Sequence, residues 1–131
     1  MAMQKTKQLT VWVQDRPGIL GEVADALGTK KVNILALVAS VVEGSGALRM
    51  VVDKPVEAKE IFTQRGWKTT EEELVSFALP DQPGQLGSVS KKLGDAGINI
   101  HYAYTGAARG ASEASAYLAV SDVEAALKAL R

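Results

Sequence analysis

Residues 15–34, DRPGILGEVADALGTKKVNI, recur at residues 81–100 as DQPGQLGSVSKKLGDAGINI, displaced by 66 positions and identical at ten of twenty. Average residue usage would give about one or two matches. The shared positions are Asp15/Asp81, Pro17/Pro83, Gly18/Gly84, Leu20/Leu86, Gly21/Gly87, Val23/Val89, Leu27/Leu93, Gly28/Gly94, Asn33/Asn99 and Ile34/Ile100. Further on, Val-Glu-Ala at Val56 returns at Val123, displaced by 67, which reads as one extra residue in the intervening loop of the second copy. A 131-residue chain repeated in this way divides into two modules, 1–71 and 72–131, each within the size range of small domains.

Each copy opens on an apolar run of strand formers, residues 9–13 and 74–79. The Asp-x-Pro-Gly that follows ends the strand, because proline fixes φ, glycine relieves steric limits and Asp bonds its own downstream amides. Leu20, Val23, Ala24 and Leu27 then recur at helical spacing, as do Leu86, Val89 and Leu93. Gly97 suits the left-handed residue that closes the second of these helices, whereas Lys31 holds that place in the first. Strands are expected over 32–42 and 98–105, glycine turns at 44–46 and 106–110, and return strands over 47–52 and 115–120. Second helices fit 56–65, with Pro55 at the first turn, and 123–130. Residues 67–70 supply a fourth strand in the first copy only.

The fold class that follows is α+β: two tandem ferredoxin-like βαββαβ modules, antiparallel sheets with helices on one face, the second module lacking its last strand. That leaves one sheet edge open, and open edges favour association or covering by another element.

Composition narrows the function. Fifteen basic residues balance fifteen acidic ones and aromatics make up 5%, so no basic field or stacking platform is available for nucleic acid. The most apolar run, residues 34–42, is about half the length that crosses a bilayer, and the N-terminus lacks the shape of a secretory signal. With no cysteine, the chain is expected in the cytoplasm. Neither a phosphate loop, nor paired histidines, nor a thiol is present, so no catalytic residue, metal or cofactor is assigned and the chain is read as not an enzyme.

A strand, then Asp-x-Pro-Gly-x-Leu, an amphipathic helix and a hydrophobic residue followed by Asn-Ile resembles the ACT domain, a regulatory module that binds amino acids. Both copies carry the pattern, and the whole resembles stand-alone tandem ACT proteins. The resemblance implies a small-molecule sensor of amino-acid metabolism, with an amino acid held between modules by the loop after the first strand, the start of the first helix and the Asn of the second strand. Those places are Asp15, Pro17, Gly18, Ile19, Leu20 and Asn33 in one copy, and Asp81, Pro83, Gly84, Gln85, Leu86 and Asn99 in the other, with His101 beside the last. These residue types suit both ends of an amino acid. Open amides at a helix start carry partial positive charge for a carboxylate. Asp and Asn oxygens accept from an ammonium.

Other readings stand beside these. Asp-x-Pro-Gly ends strands in any protein, and Asn33 and Asn99 also suit a cap on the preceding turn. His101 fits a strand position with no partner for proton transfer, and Arg49 fits an outward-facing one. Glu71, Glu72 and Glu73 read as a solvated junction, and Trp12 and Trp67 as packing residues. The copies differ at Arg16/Gln82, Ile19/Gln85 and Leu35/His101, which makes the second loop the more polar. A homodimer and a regulated enzyme are the expected partners. The alternative function is a ligand-free protein–protein adaptor.

Overall fold

Leu9, Val11 and Val13 alternate with Gln8, Thr10 and Trp12, so one face of the first strand is aliphatic and requires a cover. In the computed structural model, which describes residues 2–131, ten elements arrange that cover. They are β1 (Met3–Gln14), α1 (Ile19–Thr29), β2 (Ile34–Val42), β3 (Ser45–Val52), α2 (Pro55–Gln64), β4 (Lys68–Pro80), α3 (Gln85–Asp95), β5 (Ile100–Gly106), β6 (Glu113–Val120) and α4 (Val123–Leu130). Two ferredoxin-like units result: one is Lys7–Glu72, and the other joins the residues up to Thr6 with Glu73–Arg131.

In the unit Lys7–Glu72 the strand order is β2-β3-β1-β4. β3 pairs antiparallel with β1, Leu9 opposite Met50 and Val13 opposite Gly46, and with β2, Val38 opposite Arg49. Val23 and Leu27 of α1 and Ala58 and Phe62 of α2 close over Leu9, Val11, Val13, Leu48 and Met50, so both helices lie on the aliphatic face. Each large side chain buried here is worth about 1.5–3 kcal/mol. Trp67 extends this core, its ring 6.1 Å from that of Phe62. Pro55 takes the first helical position of α2, where its missing N–H has no role. Glu71 joins Lys59 and Lys7 in an ion-pair cluster, and the hydrogen bond from Lys59 holds its carboxyl below the usual carboxylate range.

The second unit repeats the order as β5-β6-β4-β1. Val75, Phe77 and Leu79 meet Val89 and Leu93 of α3 and Ala126, Leu127 and Leu130 of α4. No strand follows α4, as the repeat pattern implies, yet the fourth position is filled: the start of β1 occupies it. Met3 packs against this second core, Lys5 pairs with Glu124 at 2.5 Å, and the Thr6 and Ser76 hydroxyls are hydrogen-bonded. The edge expected to stand open is therefore covered. Residues 3–6, Met-Gln-Lys-Thr, are mostly polar because they form a half-solvated outer strand, which is why their sequence gives little strand signal.

Other details depart from the sequence-based expectations for physical reasons. The acidic run Glu71, Glu72 and Glu73 lies inside β4, in the half of that strand that is solvated on both faces and so tolerates charge at successive positions. Met50 and Leu118 hold equivalent places opposite Leu9 and Val75, a displacement of 68. The second copy thus has two extra residues in its β5–β6 loop, and the Val-Glu-Ala match is one residue out of phase: Ala58 and Ala126 are the true counterparts. The helix-closing positions agree with expectation, Lys31 at φ 61° and Gly97 at φ 75°. A left-handed conformation costs a residue with a Cβ about 1–2 kcal/mol, part of which glycine's extra chain entropy offsets.

Lys31→Gly is accordingly expected to raise stability by about 0.5–1 kcal/mol in urea unfolding. Deleting residues 1–6 is expected to lower stability by about 1–3 kcal/mol, through loss of the Met3 packing and strand hydrogen bonds. Light scattering should then show concentration-dependent association through the uncovered edge.

Candidate functional site

Two turns with one geometry open α1 and α3. Gly18 (φ 83°) and Gly84 (φ 88°) are left-handed, and each forms the N-cap without a side-chain hydrogen bond. The Ile19 amide closes onto the Arg16 carbonyl at 3.3 Å, and the Gln85 amide onto Gln82 at the same distance. Glu22 and Ser88 then donate the first helical bonds, at 3.0 Å, to Gly18 and Gly84. Between these bonds the amides of Leu20 and Gly21, and of Leu86 and Gly87, have no intrahelical acceptor, and they carry the positive end of the helix dipole. Asp15, Pro17, Asp81 and Pro83 are all exposed on these turns.

The loops differ in support. Arg16 is paired with Glu22 at 2.5 Å in the first, while Gln82 and Ser88 leave the second without that charge pair. The longer β5–β6 connection reaches the second loop, where the Asp81 amide donates to the Ser112 carbonyl at 3.0 Å.

Asn33 and Asn99 are fixed by reciprocal main-chain bonds. The Asn33 amide donates to Asp53 Oδ1 at 2.8 Å and its carbonyl accepts from the Asp53 amide at 3.1 Å. In the second copy the Asn99 amide donates to Ser121 Oγ at 3.0 Å, and the Ser121 amide returns to the Asn99 carbonyl at 2.9 Å. The carboxamides are not used in either clasp. Asp53 and Ser121 are not singled out by the sequence pattern; their signal is a short polar residue at the end of an aliphatic strand, just before a helix.

Two residues further on, each edge strand bulges. The register shifts between Ile34 and Ala36 and between Ile100 and Tyr102, so Leu35 and His101 are the extra residues, both exposed. A bulge re-aims its side chain out of the strand's alternation.

Within one copy these features do not meet. Gln14 and Val42 both lie opposite Ser45, so the Asp15–Leu20 segment leaves the sheet at the β2–β3 hairpin end. Asn33 is bonded to Asp53, at the other end of the same strands. The length of β2, about 25–30 Å at a strand's rise per residue, separates them. The second copy repeats the arrangement, Pro80 and Gly106 at the β6 start and Asn99 at its end. Among the described residues, no group of three or more His, Cys, Asp or Glu is arranged to hold a metal.

A family model described as an ACT domain pair matches residues 3–123. Protein BT0572 from Bacteroides thetaiotaomicron superposes with a TM-score of 0.90 at 25% identity, over 98% of this chain and 88% of that one. The ligand-free regulatory subunit of aspartate kinase from Thermus thermophilus gives 0.70 at 18% identity, over 99% and 95%. The corresponding subunit from Thermus flavus gives 0.64 at 17%, over 98% and 93%. A search of curated proteins finds no match to the sequence.

No atom lies within 4 Å of a Cβ built on Gly18 or Gly84, so substitution there tests backbone conformation alone. Gly18→Ala and Gly84→Ala are each expected to cost about 1–2 kcal/mol in chemical unfolding, and the Asn variants less.

Proposed function

Because this chain belongs to the ACT domain pair family, we propose that it is a non-catalytic sensor that binds an amino acid between modules and regulates an enzyme of amino-acid metabolism. The observation that carries the reading is the placement of the loop and the Asn at opposite ends of one copy. Two half-sites so arranged become one site when two edge strands pair antiparallel. Such pairing sets the hairpin end of one strand, with its Asp15–Leu20 segment, beside the Asn33 end of the other.

β2 is suited to that pairing. It is the outer strand of its unit, its nine residues carry no charge, and Leu35, Val41 and Val42 are exposed. An unguarded aliphatic edge invites another strand. We place the homodimer contact there. In the composite site the Leu20 and Gly21 amides receive the α-carboxylate, and the Asn33 carboxamide oxygen with Asp15 accepts from the ammonium. At the Asp81 loop, Leu86, Gly87 and Asn99 offer the same groups, with His101 projecting from its bulge. The regulated partner is drawn from the solved neighbours, regulatory subunits of aspartate kinase with the same paired fold. A cytoplasmic location fits a cysteine-free sequence, and no described helix is long and apolar enough to cross a membrane.

The same β2 edge also suits a ligand-free adaptor, and one set of measurements separates the two. Screening the amino acids by thermal shift should find one that raises the melting temperature by mass action. Asn33→Ala or Asn99→Ala should reduce that shift at least tenfold in ligand concentration. Val41→Lys should turn a dimer into a monomer in analytical ultracentrifugation and weaken binding in parallel. An intact dimer that no amino acid stabilises would leave the adaptor; a monomeric variant that binds normally would refute the composite site.

A further inference from the structure

The two copies treat the face of the sheet away from the helices differently. In the first copy Trp12 stands on that face, opposite Ala47. Its counterpart, by the displacement of β4 from β1, is Ala78, opposite Ser115. An indole in one copy is therefore a methyl group in the other. Where the indole is missing there is a groove of about 320 Å³, within the range of small-molecule sites.

The walls of this groove are small, polar or aromatic, and uncharged. Ser76 and Ala78 alternate with the core residues Val75, Phe77 and Leu79, so they form the floor together with Ser115. Tyr117 rises from β6 and is stacked on Tyr104 of β5, rings 5.0 Å apart and 15° from parallel. Gln4 closes the side provided by the N-terminal strand. The Ser76 hydroxyl is engaged by Thr6, which leaves the Ser115 hydroxyl and the Gln4 carboxamide to face an occupant. No lining residue carries a charge.

We propose that this groove is a second binding site, for an uncharged flat aromatic of one or two rings bearing a hydrogen-bonding N–H or carbonyl. The ring takes the place that Trp12 fills in the first copy and lies against Tyr117, extending the Tyr104 stack, because aromatic faces pair favourably in offset stacks. Its polar group meets Ser115 and Gln4. The site is independent of the amino-acid reading: it uses neither Asp-x-Pro-Gly loop and neither Asn.

Indole is the probe. Titrated into the full-length protein and followed by amide and aromatic NMR, it should shift residues 76–78 and 115–117 and move the Tyr117 ring protons upfield. Cyclohexanol, similar in polarity but not flat, should bind at least tenfold more weakly. Ala78→Trp should weaken indole at least tenfold by filling the groove. Ser115→Leu, which fills the same space from the neighbouring strand, gives the same result should the tryptophan variant fail to fold. Asn99→Ala should leave indole binding unchanged. The proposal is overturned if indole shifts map elsewhere, if cyclohexanol binds equally, or if a folded groove-filling variant binds indole like the parent.

Discussion

The first strand of each unit lies inside its sheet and must be paired on both sides for its backbone N–H and C=O groups to be satisfied, and this chain meets that need twice with unequal means. The unit Lys7–Glu72 draws its fourth strand from the start of β4. The other unit has none after α4 and takes it from the first residues of β1. Met3 in the second core, Lys5 on Glu124 and Thr6 on Ser76 are the contacts that make a polar, unpromising segment into structure. Two long strands, each divided between units, follow from this one requirement.

Much of that was readable in advance, because repetition doubles every local signal. Ten identities in twenty positions placed both Asp-x-Pro-Gly turns and both helices that follow them, strand formers and glycine turns placed both hairpins, and the contrast of Lys31 with Gly97 was legible from residue type alone. What escaped was non-local. Residues 3–6 become a strand because the β4 edge of their own unit, some seventy residues away in sequence, is waiting. The Val-Glu-Ala match misled because two short strings can agree while the strands they follow are aligned differently, and only the pairing of Met50 and Leu118 gives the correct frame.

The candidate site shows the same division. The repeat and the resemblance to the ACT domain singled out Asp15, Gly18 and Asn33, but the sequence between Asp15 and Asn33 is occupied by a turn and a whole helix. That helix carries the chain to the far end of the sheet. Proximity in sequence thus became distance in space, and the clasp of Asn33 by Asp53 fixes it there. The Leu35 and His101 bulges were likewise invisible, since a bulge is a property of two strands in register and not of one.

The division of β1 between units also bears on how such a chain can be inherited. A gene fragment encoding residues 73–131 specifies both helices and three strands of its unit, but leaves the last strand in the other half of the reading frame. Residues 73–131 moved alone would carry three of the four strands described for their unit, whereas all four strands of the other unit lie between Lys7 and Glu72. The second unit as it stands here is therefore tied to the segment that precedes the first.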